Sequence, residues 1–266
     1  MVRTSTEFKR LARLRCVVTS QVTPHDLLFY TTPAYQCNYL PGQRANTLFA
    51  DPDRANSTTV YSVLARYGFR RSGEHLYRPH CRRCHACVPV RIPVVEFQPR
   101  RNQQRTWRQN QDLTVIALPA AYRREHYDLY QKYLLARHKG GGMDNPSPES
   151  YMEFLTASWM ETIFYEMRLD DRLVGIAVAD RLDDALSAVY SFFDPDYSYR
   201  SLGRFAIMLQ VREATQQGFK WLYLGYWIRE CRKMEYKDQY QPLEYYQDGS
   251  WWRKPQQVAR RQSNAG

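Results

Sequence analysis

Two acidic dipeptides, Asp170-Asp171 and Asp183-Asp184, cut residues 162–193 into three apolar runs: Thr162–Leu169, Leu173–Ala179 and Ala185–Phe193. Runs of this length bounded by turn-formers read as strands. Aspartate suits the turns because its short side chain bonds its own backbone and tolerates left-handed geometry. The apolar period then lengthens to helical spacing over Ser201–Gln216, closes at Gly218, and returns to a strand at Trp221–Ile228. Upstream, a long helix is predicted over about Ala121–Lys139, carrying Tyr122, His126, Leu129, Tyr130, Tyr133 and Leu134 at three- and four-residue steps. Gly140-Gly141-Gly142 ends it, and a second helix starts near Pro148. Two helices, three antiparallel strands, a crossover helix and one more strand make a mixed α/β layout.

That order matches the acyltransferase fold of the GCN5-related N-acetyltransferases, and it is assigned to residues 101–251. The fold class is therefore α/β (mixed α+β), with a smaller cysteine-containing domain over 23–100. The smaller part is rich in turns at Pro33, Pro41-Gly42 and Pro52. It contains one clear helix, Thr58–Tyr67, with Ser57 as N-cap and Gly68 as terminator. Strand-like runs at Glu74–Arg78 and Val88–Val95 are predicted to form a hairpin. Residues 1–22 and 252–266 read as basic tails.

At 266 residues, 44% apolar and 14% aromatic, the chain can bury a sizeable core. Its longest apolar run, Ala185–Phe193, is too short to span a bilayer, and Arg13 and Arg15 interrupt the one stretch resembling a secretory signal. Six cysteines in a chain this long suit a reducing compartment, so a cytosolic location is expected. The net charge of +11 is concentrated: residues 70–110 carry +8, ten arginines against Glu74 and Glu96. Guanidinium forks suit phosphate oxygens, and releasing counterions from a phosphate backbone drives binding. An RNA-facing surface is one reading of this run; a solvated basic face is the other.

Three of the cysteines, Cys81, Cys84 and Cys87, stand three apart, with Cys37 upstream. Together they supply the four thiolates that zinc or an iron–sulfur cluster requires. The alternative is reduced thiols packed as small apolar groups. Before the crossover helix, where the acyltransferase fold places a glycine-rich pyrophosphate loop, the chain reads Arg200-Ser201-Leu202-Gly203-Arg204-Phe205. One glycine and a bulky Phe205 make coenzyme A a poor fit, although a helix N-terminus flanked by arginines suits some other anion.

Six segments carry a family resemblance. They are Cys37-Asn38-Tyr39-Leu40-Pro41-Gly42; Tyr77-Arg78-Pro79 with the three cysteines; Arg137-His138 with the glycines and Met143; Tyr190 to Pro195; Ser201-Leu202-Gly203; and Leu224-Gly225-Tyr226-Trp227-Ile228 with Cys231, Lys233, Met234, Tyr236 and Lys237. In this order, over residues 25–250, the chain resembles the bacterial branch of the arginyltransferase superfamily, the aspartate/glutamate leucyltransferases. The resemblance implies transfer of leucine from leucyl-tRNA to the α-amine of proteins beginning with Asp or Glu, which creates a degradation signal. The implied partners are leucyl-tRNA and those proteins, with no membrane and no cofactor required for the reaction. Related eukaryotic enzymes have cysteines linked to metal binding; here Leu40 stands at one of those cysteine positions.

Such a reaction needs no covalent nucleophile, because an aminoacyl ester is already activated and an α-amine is partly neutral at pH 7. It needs positioning, a proton path and an oxyanion site. Asp194, after the central strand, is a candidate to orient or deprotonate the amine, or else forms a turn with Pro195. Tyr226 is a candidate proton donor to the ribose oxygen, or else a packed tyrosine. His138 is a third catalytic candidate, or else a helix cap. Backbone N–H groups near Phe192 and Phe193 are the expected oxyanion donors.

Arg78, Arg200, Lys233 and Lys237 are the candidate partners of an acidic acceptor side chain, the two lysines on one face of a predicted helix. Phe192, Phe193, Met208, Leu224 and Trp227 are candidates for a leucine pocket or plain core. Three rival readings remain open: an arginyl-tRNA donor, an acyl-CoA-dependent N-acetyltransferase, and a non-catalytic metal-containing RNA-binding module.

Overall fold

In the computed structural model, residues 27–137 and 146–254 are described. The described residues open with short strands β1 (Phe29–Thr31), β2 (Tyr35–Gln36), β3 (Arg44–Ala45) and β4 (Thr47–Ala50). Two helices follow, α1 (Pro52–Ala55) and α2 (Thr58–Arg66), and Ser57 caps the second by accepting the Val60 N–H at 3.2 Å. Then come β5 (Arg70–Ser72), β6 (His75–Pro79), β7 (Val88–Pro93), α3 (Arg101–Gln109) and β8 (Thr114–Pro119). The second half runs α4 (Arg124–Arg137), α5 (Pro148–Leu155), β9 (Thr162–Leu169), β10 (Arg172–Arg181), β11 (Ala185–Phe193), α6 (Leu202–Gln216) and β12 (Trp221–Trp227). It ends with the hairpin of β13 (Glu244–Gln247) and β14 (Ser250–Trp252).

Eight strands form one sheet in the order β14-β13-β7-β12-β11-β10-β9-β8. The run β8 to β11 is antiparallel, and α6 carries the chain across so that β12 lies parallel to β11. This is the expected acyltransferase layout within a mixed α/β fold. The Asp170-Asp171 turn has φ of +45° and +66°, the left-handed geometry that aspartate tolerates.

Strands β9 and β10 are buried nearly throughout because helices cover both faces. On one face Leu202, Phe205 and Leu209 of α6 meet Tyr165, Met167 and Ala177. On the other, Tyr130 and Leu134 of α4 and Leu155 of α5 meet Phe164, Ile176 and Phe192.

The smaller sheet has the order β1-β4-β6-β5 and packs with α2 against Ala185 and Tyr223 of the large sheet. Two buried polar links fix this contact. Tyr61 Oη and Ser187 Oγ share a 2.9 Å hydrogen bond, and Arg71 meets Asp180 at 2.7 Å with both side chains fully buried. The predicted hairpin of the two strands around the cysteines does not form. β6 pairs with β4 and β5, whereas β7 crosses to the large sheet and lies between β12 and β13. The cysteine-bearing segment is thus the crossover between the sheets. No helix among the described residues is long and apolar enough to cross a membrane.

Candidate active site at the gap between β11 and β12

The parallel pair β11/β12 is joined only from Ala185↔Trp221 to Ser187↔Tyr223. Beyond that point β11 stays with β10 as far as Phe193↔Gly175, and β12 stays with β7 as far as Trp227↔Val88. A register shift lies on each side of the parting, at Val178/Ala179 and at Tyr223/Gly225. Bulges bend strands and increase local twist, so this pair opens a gap in the middle of the sheet. Asp194 donates its N–H to Val174 of β10 at 2.9 Å. Alternation along an extended strand then turns the Phe193 N–H to the other edge, toward the gap. The Phe193 N–H is therefore a backbone donor that faces the gap.

The guanidinium of Arg70 reaches into this gap and donates from Nη2 to the Ala188 carbonyl of β11. Across from it stands Gly225, at φ +78°, where any Cβ would collide with the Arg70 head. Glycine is needed twice at this position, for its dihedral angle and for the space it leaves. Arg70 belongs to the basic run, but nothing local in the sequence distinguishes it from its neighbours. Lys237, 6% exposed, enters the same region from a 3₁₀ turn, Glu235–Gln239. Its Nζ donates to the Tyr226 carbonyl at 2.6 Å and lies 3.4 Å from Met234 Sδ. Burial first, and then the charge of Arg70, lower its pKa from the ordinary 10.5 to about 7.

The other predicted residues fall in several places. Lys233 is exposed while Lys237 is buried, so the expected shared helix face does not exist; the local structure is a tight turn that points them apart. Arg200 is held by Asp112 through two 2.9 Å bonds, which neutralise it. Arg78 donates to the Tyr67 carbonyl at 3.1 Å and stacks over Phe69 at 5.1 Å from the ring centre. His138 lies outside the described residues. Phe192, Phe193, Met208, Leu224 and Trp227 are all core residues.

Asp194 closes β11 and caps the turn at Pro195–Arg200, accepting the Asp196 N–H at 3.0 Å. Its carboxylate also meets Lys132 at 2.6 Å and Arg172 at 3.3 Å. Burial alone would push this carboxyl up, but Lys132, the Asp196 N–H and Arg172 hold it below the usual range. It is an ionised anchor of the turn. Tyr226 directs its hydroxyl to the carbonyls of Gly68 at 3.1 Å and Tyr77 at 3.2 Å. Burial, reinforced by Tyr77, raises its pKa well above 10, so the phenol keeps its proton.

The predicted four-thiolate site is not assembled. No group of three His, Cys, Asp or Glu able to hold a metal occurs among the described residues. Cys37 Sγ accepts the Tyr39 and Leu40 N–H groups at 3.4 Å each, and Cys81 Sγ faces the Asn46 carbonyl at 3.8 Å. Burial, then the neighbouring Cys81, Cys84 and Cys37, push the Cys87 thiol up to about 12. As placed, Cys37 and Cys81 are turned to backbone partners, and the four thiols do not come together as a zinc or cluster site.

A family model described as "Arginine-tRNA-protein transferase, N terminus" matches residues 35–105, and one described as "Arginine-tRNA-protein transferase, C terminus" matches residues 125–247. Proteins named aspartate/glutamate leucyltransferase match at 49% identity in Marinobacter nauticus and 50% in Alcanivorax borkumensis. Each match covers 85% of this chain, and 95% and 93% of those relatives. The chain belongs to the aspartate/glutamate leucyltransferase family. Among solved structures, that of L-PGS from Bacillus licheniformis aligns at TM-score 0.42 and 9% identity, covering 62% of this chain and 49% of that one. In this leucyltransferase-family chain both matched segments contribute to the gap. Arg70 comes from the first, and Ala188, Gly225 and Lys237 from the second.

Proposed function

We propose that this protein transfers leucine from leucyl-tRNA to the α-amine of proteins beginning with Asp or Glu, marking them for degradation. The observation that carries this reading is the near-50% identity to leucyltransferases over nearly their whole length. The gap between β11 and β12 is the place for the chemistry. A neutral amine attacks the ester carbonyl, the oxyanion meets the backbone N–H at Phe193, and the amine's proton ends on the departing ribose oxygen. In this reading Asp194 and Tyr226 position the site without exchanging protons. Arg71 and Tyr61 keep the two sheets in register around it.

The coenzyme A alternative is disfavoured by the start of α6. Arg200 is spent on Asp112, and Gly203 lies so close to Phe193 that an added Cβ would stand 3.2 Å from its ring. An arginyl donor is the second reading, because the matching family models carry that description.

Purified protein incubated with radiolabelled leucyl-tRNA and peptides beginning with Asp, Glu, Arg or Ala tests all of these. Label on the Asp and Glu peptides alone is expected. Label only from arginyl-tRNA transfers the assignment to the second donor, and absence of label from either ends the transferase reading.

A further inference from the structure

The gap holds the Arg70 guanidinium and the Lys237 amine, and no carboxylate among the described residues pairs with either of them. Arg70 takes part in none of the ion pairs among these residues, whereas Arg66, Arg71, Arg91, Arg168 and Arg200 each have an acidic partner. Lys237 likewise meets a carbonyl and a thioether instead of an acid. The groups facing the pair are neutral. Tyr39 and Tyr61 are pushed up to about 12, Tyr226 is raised well above 10, and the Cys87 thiol is protonated. A cation held away from water without a counter-charge is costly, and two that repel one another cost more. An arriving anion relieves both.

The fold spends structure on keeping this arrangement. Gly225, in a strand interior where glycine is unfavourable, leaves the space that the Arg70 head occupies. Arg70 uses Nη2 on the Ala188 carbonyl, which fixes the plane of its fork and leaves further N–H donors for a ligand. That fixed fork stands on the same edge of β11 as the Phe193 N–H. A carboxylate held there belongs to a substrate whose reacting atom is also in the gap.

We propose that Arg70 reads the acidic side chain of the acceptor's first residue, with Lys237 beside it completing the seat for the carboxylate. The proposal rests on the transferase reading for the identity of the acceptor. A planar fork with a permanent charge favours a carboxylate over the isosteric amide, so Asp is selected over Asn and Glu over Gln. The other predicted cations lack this position: Arg200 is neutralised, Lys233 is exposed, and Arg78 is turned to Tyr67 and Phe69.

The test compares wild type with Arg70→Gln, Arg70→Lys and Gly225→Ala in two assays on the full chain. The first measures kcat/KM for leucine transfer to pentapeptides that differ only in a first residue of Asp or Asn. The second measures binding of the same peptides by calorimetry, with no tRNA present. Losing one partner of a charged pair predicts an Asp-over-Asn preference, read as the ratio of kcat/KM for the two peptides, reduced by about 100-fold in Arg70→Gln. Arg70→Lys keeps the charge without the fork and falls between.

Gly225→Ala displaces the Arg70 head and lowers the preference while Arg70 remains. The proposal is overturned if Arg70→Gln retains the Asp preference, or if both peptides lose activity equally in every variant. Should no variant or wild type transfer leucine, an Asp preference in binding that Arg70→Gln abolishes would sustain the Arg70 assignment without the transferase reading. Equal binding of the two peptides by wild type would remove it.

Discussion

Lys237 sits against Tyr226 and Met234, with Arg70, Cys231 and Cys87 near enough to act on its charge. Its lowered pKa, about 7 against the ordinary 10.5, has a signed consequence for stability. Below pH 7 the native and unfolded chains both carry the proton, and the penalty of burying the ammonium is present in full. Between 7 and 10.5 the unfolded chain binds a proton that the native chain lacks, so this residue makes stability rise with pH across that window. Lys237→Met is accordingly expected to gain stability over wild type at pH 6 by a few kcal/mol more than at pH 9. Urea unfolding at the two pH values measures this, and the wild-type comparison removes the titration of the neighbouring thiols. A mutant-to-wild-type difference that is the same at both pH values would mean that the lysine titrates normally. The sequence pointed to Lys237 as a cation of the site but paired it with Lys233. What it lacked was the tight turn, whose geometry depends on Trp227 Nε1 bonding the Glu235 carbonyl at 3.2 Å.

At the scale of elements, the strands from β9 to β12 and helices α2 and α6 were legible because each carries a local signal: an apolar period, a serine cap, or an acidic turn. Pairing is not local. The Glu74–Arg78 and Val88–Val95 runs look like a hairpin in sequence, yet they serve different sheets, because β7 buries Val88, Val90 and Ile92 in the core formed with α6. For the same reason Arg70 was indistinguishable from Arg71 in the sequence. One residue apart on β5, they point to opposite faces. Arg71 turns to Asp180 of β10, which also accepts the Thr162 hydroxyl at 2.7 Å. Arg71 further donates to the Leu155 carbonyl at 2.7 Å, so it ties β5, β10 and the end of α5 together. Removing one member of a fully buried pair leaves a stranded charge. Arg71→Met should therefore cost about 3–5 kcal/mol in urea unfolding, and Arg71→Met/Asp180→Leu should recover part of that loss. If Arg71→Met leaves stability unchanged, the Arg71–Asp180 pair contributes nothing to holding the two sheets together.

Over the whole molecule the basic run divides by role, which its summed charge conceals. Arg70, Arg71 and Arg91 are used inward, on the Ala188 carbonyl, Asp180 and Glu244. Arg101, Arg105 and Arg108 lie exposed along one side of α3, whose Gln103, Thr106 and Asn110 neighbours are buried. None of these three takes part in an ion pair among the described residues, and α3 packs through Trp107 onto Phe205 of α6, the helix that follows the gap. The proposed reaction assigns its polyanion donor to the outward arginines of this segment and its acidic acceptor to the inward Arg70. Replacing Arg101, Arg105 and Arg108 together by Ala should raise KM for leucyl-tRNA and leave KM for an Asp-starting peptide unchanged. Each lost phosphate contact should also flatten the slope of log affinity against log salt by about 0.7–0.9. Titrating leucyl-tRNA binding from low to physiological salt checks this. An unaltered slope in the triple variant would place the tRNA on another face and reduce the outward arginines of α3 to solvated charge.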